Sequence, residues 1–146
     1  MDGPGYFLVK LVAYTLWSYL GLRIFRPQAS FMIARAAGYG PLRLIMGLFF
    51  GVAIFFLASF WAHFLGTGLP QNIFTYFGAY VPVRWVEWTI MAALLSPGLL
   101  QQRHWFIGTG SRDGLWRFGG ILISCLADIP LIESLGGVVP TGRFLC

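Results

Sequence analysis

Four side chains in this sequence have the chemistry of general acids and bases, and they lie where few other polar residues are found. They are His63, Glu87, Asp128 and Glu133. A carboxylate close to a histidine can exchange protons with a substrate, so we treat these four as candidate catalytic residues. They form a site only if the fold brings them together.

A second group of residues has the chemistry of headgroup binding. Arg84, Trp85 and Trp88 flank Glu87 in the stretch RWVEW, and Tyr80 lies just before it. Arginine holds anionic groups through several hydrogen bonds, and tryptophan and tyrosine are enriched at the depth of lipid headgroups. We therefore expect these aromatic residues and the arginine to contact lipid headgroups or another ligand.

Signals for cofactors and metals are weak. His63 follows Phe60 and Trp61 and precedes Phe64, a setting that suits a single axial ligand of haem or chlorophyll. A lone histidine has many structural roles, and the sequence contains no CxxC or HExxH spacing. We predict no cofactor and no metal, with ligation of haem or chlorophyll by His63 as the alternative.

Composition identifies the solvent around these residues. Of the 146 residues, 58% are apolar and 10% are charged, whereas soluble domains average about 25% charged residues. The net charge is +5, but the arginines lie singly at the ends of apolar runs, as in proteins oriented across a membrane. We predict an integral membrane protein that does not bind nucleic acid.

The apolar residues form four runs, which predict an all-α, polytopic membrane protein with a single helical domain over residues 1–146. The predicted spans are 6–25, 44–65, 85–100 and 118–139. A helix needs about 20 residues to cross roughly 30 Å of hydrocarbon. The third run is shorter, so it spans only if its flanking residues lie in the interface or the helix continues, bent, through Pro97.

Basic residues predict the orientation of these spans. The second loop, residues 66–83, has no charge, whereas most basic residues lie in the first and third loops: Arg23, Arg26, Arg35, Arg43, Arg103, Arg112 and Arg117. Positive loops stay on the cytoplasmic side. We therefore expect loops one and three inside and both termini outside, in a cytoplasmic or mitochondrial inner membrane.

The rise of a helix predicts the depth of the polar residues. His63, Arg84, Glu87 and Glu133 fall in the outer half, and Asp128 falls about halfway along the fourth span. A charge at mid-bilayer costs roughly 2.5–3.5 kcal/mol on insertion scales, so Asp128 must be paired, protonated or hydrated. Arg84 and Glu87 are spaced to pair with each other. The alternative is that they only anchor a helix end in the interface.

The first loop has the signals of a short surface helix. Pro27 suits its first position, and Gly38 suits its end. Phe31 would then enter the interface while Arg26 and Arg35 meet lipid phosphates. The alternative is a plain basic connector.

The second loop is uncharged but rich in aromatic residues, namely Phe74, Tyr76, Phe77 and Tyr80. Such a loop is poorly suited to water. We expect it to form part of an aromatic belt at the outer interface. The alternative is a lid over a lipid-facing pocket.

Two pairs of small residues favour close helix packing. Gly47 and Gly51 are spaced as GxxxG in the second span, and Gly120 and Ser124 are spaced alike in the fourth. Small residues let helix backbones approach closely in lipid. We expect these faces to pack against other helices, either of this chain, of another membrane subunit or of a second copy.

Three functions stay open. The lack of standard catalytic signatures favours a small membrane subunit or scaffold of a larger assembly, which packs through its helix faces and binds lipid. The first alternative is a small membrane enzyme, or a protein that binds a lipid or another hydrophobic ligand, with a polar site in the outer half of the bundle. The second is a proton-coupled transporter or channel protomer with Asp128 as the relay. We expect a non-catalytic role.

Overall fold

The computed structural model of the chain describes residues 3–64, 76–107 and 111–134. Four helices account for most of them: α1 (Gly3–Phe25), α2 (Met32–Phe64), α3 (Val81–Leu95) and α4 (Ser111–Ser134). A π-helical turn, Tyr76–Tyr80, leads into α3, and a 3₁₀ turn, Pro97–Gln101, follows it. No strand occurs in these three ranges, so the prediction of an all-helical fold is confirmed for the described residues.

Two of the helices are long and apolar enough to cross a membrane, over Gly5–Phe25 of α1 and Met32–Trp61 of α2. Helix α3 has 15 residues, about 22 Å at 1.5 Å per residue, which is less than the roughly 30 Å of hydrocarbon. Helix α4 has 24 residues but is less apolar than α1 and α2. The described helices thus include two candidate spans where the sequence predicts four.

Helix α2 begins well before the predicted start of the second span. The predicted short helix from Pro27 to Gly38 is wrong, because α2 starts at Met32 and passes through Gly38 without a stop. Gly40 marks a close approach of α2 to α1, since a Cβ atom there would collide with Thr15. This contact accounts for a glycine in a helix interior, where it is otherwise unfavourable.

The chain reverses direction after α3. Ser96 ends the helix with φ −137° and ψ 86°, an extended conformation that the following proline favours. The chain then returns beside α3, where Trp85 Nε1 donates a hydrogen bond to the Phe106 carbonyl at 3.0 Å. The prediction that puts Trp85 at the outer interface and the third loop on the cytoplasmic face is therefore wrong, because the two lie side by side.

Tryptophan side chains fill the centre of the bundle. Trp88 and Trp116 are buried, with their ring centroids 5.3 Å apart in a T-shaped arrangement. Trp17 of α1 stacks on Trp116 of α4 at 6.5 Å. Each of these two indole N–H groups donates to the backbone carbonyl of the other residue, at 3.1 and 3.2 Å. The reciprocal bonds fix α1 against α4.

Both pairs of small residues lie inside the fold. Gly47 and Gly51 are buried. A Cβ atom on Gly120 would collide with the Trp88 ring. Trp88 Nε1 donates to Ser124 Oγ at 3.2 Å, and that hydroxyl donates to the Gly120 carbonyl at 2.9 Å. The small face of α4 thus packs against α3 of the same chain.

Helices α1 and α4 each bury a row of polar side chains and expose apolar ones. Helix α1 buries a row at four-residue spacing: Tyr6, Lys10, Tyr14 and Ser18. Its opposite side carries exposed apolar residues: Leu8, Val12, Leu16, Leu20 and Ile24. Helix α4 repeats the pattern, with Asp113, Arg117, Ser124 and Asp128 buried and Leu115, Phe118, Leu122 and Leu126 exposed. This is the reverse of the arrangement in a soluble helical bundle.

Candidate functional site

Asp128 lies between two cations inside the bundle. Lys10 Nζ of α1 is 2.8 Å from Oδ1, and the Arg84 guanidinium of α3 contacts Oδ2. The Tyr6 hydroxyl also donates to Oδ1, at 2.7 Å. Of the three states that the sequence allows for Asp128, the structure shows the paired one. A single carboxylate thus joins α1, α3 and α4.

Glu87 also turns into the bundle, where it forms an ion pair with Arg43 of α2. Neither side chain is exposed. The Arg43 guanidinium lies over the rings of Tyr14 and Trp88, at 5.0 and 5.3 Å from their centroids. A charge in an apolar interior is therefore held by one carboxylate and two aromatic faces.

The predicted pairing of Arg84 with Glu87 is wrong. Arg84 contacts Asp128 on α4, whereas Glu87 contacts Arg43 on α2. The two positions on α3 differ by about 60° around the axis at 3.6 residues per turn. This difference is enough to direct the two side chains to different neighbouring helices.

Two arginines that the sequence assigns to cytoplasmic loops are interior residues. Arg43 lies within α2 and Arg117 within α4, and both are buried. Arg117 Nε and Nη2 bond to the carboxylate of Asp113, at 2.9 and 2.8 Å. The loop prediction is wrong for these two residues because α2 and α4 start earlier than the apolar runs indicate.

Arg117 ties α4 to the segment that follows α3. Its Nη1 donates to Thr89 Oγ1 at 3.0 Å and to the Phe106 carbonyl at 3.2 Å. Its Nη2 donates to the Trp105 carbonyl at 2.8 Å. Backbone acceptors in a turn need partners when they are covered, and the guanidinium supplies them.

The polar layer around Arg43 is incompletely bonded. Several of its buried atoms have no hydrogen-bond partner among the described residues: Arg43 Nε and Nη1, Glu87 Oε1, and the hydroxyls of Tyr14 and Ser18. Each such atom loses its bonds to water without gaining a replacement, which is unfavourable. The Asp128 carboxylate differs from that of Glu87, because it is bonded on both oxygens.

Two members of the predicted catalytic group, His63 and Glu87, are not brought together. His63 is exposed in the last turn of α2, about 30 Å along the helix from Arg43 at 1.5 Å per residue. Since Glu87 contacts Arg43, His63 and Glu87 do not share a site. Glu133 lies in the last turn of α4, and its side chain is outside the described part of the chain.

The residues predicted to bind headgroups are mostly inside the bundle. Arg84 and Trp88 are fully buried, and Tyr80 is 5% exposed, with its ring centroid 5.7 Å from the Arg84 guanidinium. Trp85 is half-buried. Because α3 directs Arg84 and Trp88 toward α4, these two side chains do not face lipid headgroups. That the four residues bind another ligand stays a prediction. In the predicted aromatic belt, Phe77 is exposed, while residues 65–75 lie outside the described ranges.

The sequence analysis did not identify Lys10 and Arg117 as buried members of ion pairs. Both have a readable signal. Lys10 belongs to the row that α1 repeats every four residues, and Asp113 and Arg117 have the spacing of a helical ion pair. The signal gives the face of each helix, but it does not identify the partner on another helix.

Comparison with known proteins gives no assignment. No protein family, no curated protein and no solved structure matches the chain. Within the described ranges, no group of three or more His, Cys, Asp and Glu side chains is placed to hold a metal ion. The absence of a cofactor stays a prediction, with ligation of haem or chlorophyll by His63 as its alternative. The function must follow from the chain's own residues.

Proposed function

We propose that the chain is a small, non-catalytic integral membrane subunit or scaffold of a larger membrane assembly. The position of its charges carries this proposal. Among the described residues, the buried charged side chains each belong to an ion pair: Lys10, Arg43, Arg84, Glu87, Asp113, Arg117 and Asp128. A catalytic site needs polar groups that a substrate can reach. Here those groups are engaged in holding helices together.

The outer surface supports the membrane setting. Leu16 on α1 is 64% exposed, Phe56 on α2 is 66% exposed and Leu126 on α4 is 61% exposed. Exposed large apolar side chains on three helices favour a membrane setting, because soluble monomers rarely expose large apolar patches. In a membrane, these faces meet lipid or the helices of neighbouring subunits.

The alternatives receive less support from the same contacts. A proton relay at Asp128 needs a carboxylate that exchanges its partners, but Tyr6, Lys10 and Arg84 engage both of its oxygens. This favours a fixed anchor between helices. An enzyme that uses His63 as a base is less supported, because His63 and Glu87 do not share a site.

We further propose that α1 and α2 cross the membrane as a hairpin whose connector faces the cytoplasm or the mitochondrial matrix. Arg23, Arg26 and Arg35 lie at or near this connector, and none of them takes part in a described ion pair. Free positive charges near the ends of spans favour that side. The start of α1 and the end of α2 then face the opposite side.

Site-specific photo-crosslinking in native membranes tests the assembly. A photoreactive leucine analogue in place of Leu16, Leu48 or Leu126 samples exposed positions on three helices, and the same analogue at Leu95, which is fully buried, is the control. We expect one discrete adduct with a second polypeptide from at least one outer position and none from the control. Adducts with lipid alone at all three positions, together with a monodisperse monomer in mild detergent, would overturn the proposal.

A further inference from the structure

The connector between α1 and α2 concentrates positive charge without a carboxylate. Arg23, Arg26 and Arg35 lie on or beside it, and the sequence has no acidic residue between Asp2 and Glu87. The Arg23 guanidinium lies 5.6 Å from the centroid of the Tyr19 ring. These three arginines are outside all described ion pairs, in contrast to the arginines inside the bundle. Their charge is available to a ligand.

Two of these arginines line an open cavity of about 410 Å³. Its walls are Arg26, Pro27, Gln28, Ala29 and Arg35. Arg26 follows the end of α1 and Arg35 lies in the first turn of α2, so one cavity is lined by an arginine from each side of the turn between the helices. Guanidinium groups bind phosphate through paired hydrogen bonds. The cavity therefore has the donors for a phosphate group.

An apolar groove of about 550 Å³ lies on the same connector. It is lined by Tyr19, Phe31, Met32, Ile33, Ala34 and Ala37. Phe31 is 82% exposed and Ile33 is 77% exposed. Phe31 also has φ 55°, a left-handed backbone conformation that is unfavourable for a bulky side chain. The chain thus holds an aromatic ring in the open at the cost of backbone strain, and strain of this kind marks candidate functional positions.

We propose that this connector binds an anionic phospholipid. Arg26 and Arg35 hold the headgroup phosphate, and the acyl chain lies along the groove at Phe31 and Ile33. A free phosphate ion would use the arginines but not the groove, and a soluble apolar ligand would use the groove but not the arginines. The excess positive charge favours a lipid with net negative charge over a zwitterionic one. This proposal requires a membrane location, but it does not depend on the chain being part of an assembly.

The test is a lipid titration of the purified full-length protein in detergent, with bound lipid counted by native mass spectrometry. Phosphatidylglycerol and phosphatidylcholine with the same acyl chains are compared. The variant R26Q/R35Q removes the cavity arginines, and R103Q/R112Q removes two exposed arginines, one in the segment that follows α3 and one in the first turn of α4. We expect R26Q/R35Q to weaken phosphatidylglycerol binding by about 25-fold, at about fivefold per arginine, and R103Q/R112Q to change it little. Equal losses in the two variants, or no loss in R26Q/R35Q, would overturn the proposal.

Phe31→Gly tests the groove separately. Glycine adopts the left-handed conformation without steric cost, so we expect a Tm no lower than that of the wild type, while binding of both lipids weakens by about tenfold through loss of the ring. Unchanged lipid binding would contradict a role for the groove.

Competition with inorganic phosphate distinguishes a lipid site from a site for free phosphate. A large excess of inorganic phosphate should not displace phosphatidylglycerol. Full displacement would identify a site for free phosphate and overturn the lipid assignment.

Discussion

Lys10 of α1 and Asp128 of α4 form an ion pair inside the bundle, with 2.8 Å between Nζ and Oδ1. Arg84 of α3 contacts the other carboxylate oxygen. One anion therefore counters cations from two other helices in an apolar surrounding. Because one carboxylate contacts both cations, the members of this cluster should differ in their importance for stability.

Asp128→Asn should destabilise the protein by about 3–5 kcal/mol, because it leaves two buried cations without their carboxylate. Lys10→Met should cost less, since the contact of Arg84 with Asp128 remains. The measurement is the free energy of unfolding in mixed micelles, followed by tryptophan fluorescence. Equal costs for the two substitutions would show that Asp128 is not the shared anchor.

The Arg43 and Glu87 pair should behave as a buried ion pair with incomplete hydrogen bonding. Arg43→Met alone or Glu87→Met alone should cost about 3–5 kcal/mol, whereas the double variant should be about as stable as the wild type or more stable. The reason is that Arg43 Nε and Nη1 and Glu87 Oε1 have no hydrogen-bond partner among the described residues. A double-mutant cycle measures the coupling. Strictly additive losses would contradict the assigned pair.

Gly120→Ala should disturb the tryptophan core. The new Cβ atom would collide with the Trp88 ring, and overpacking of this kind costs about 1–3 kcal/mol. Gly114→Ala is the matched control on the same helix, because a Cβ atom there meets nothing within 4 Å. We expect the control to be neutral or to stabilise the protein by about 0.5–1 kcal/mol. Thermal unfolding measures both effects: the Tm should fall in Gly120→Ala and stay equal or rise in Gly114→Ala.

Arg117→Gln should release the segment that returns beside α3. The substitution removes the hydrogen bonds to the Trp105 and Phe106 carbonyls, and bonds from charged groups contribute about 1.5–3 kcal/mol. Trypsin cleavage after the exposed Arg103 should then become about tenfold faster, because cleavage follows the population of the open segment. Arg112→Gln, at an exposed position, should leave the rate at Arg103 unchanged. A rate that does not respond to Arg117→Gln would rule out this restraint.

The helices themselves follow from the apolar runs, and the first run gives the end of α1 at Phe25. The start of α2 does not follow in the same way. Gly38 and Pro41 have the local chemistry of a helix end or a kink, but both lie inside α2. Local propensity is a weak preference that tertiary contacts override, and the close approach of Gly40 to Thr15 is such a contact.

The ion-pair cluster of Asp128, Lys10 and Arg84 could be predicted in part. The sequence indicates that Asp128 needs a partner, because charge in an apolar run is unfavourable. It does not identify Lys10 or Arg84 as that partner, because the partner depends on how far each helix is rotated and shifted against its neighbours. Spacing within one helix shows which residues share a face. Which helix that face contacts depends on the packing of the whole bundle.

Two buried cations are synthesised before the carboxylates that they contact. Lys10 and Arg43 are made first, on α1 and α2, whereas Asp128 and Glu87, which contact them, follow on α4 and α3. In the proposed membrane, a nascent chain that ends before Glu87 would carry both cations without their carboxylates, at roughly 2.5–3.5 kcal/mol each. Membrane insertion of α1 and α2 is therefore less favourable before α3 and α4 have been made than after them.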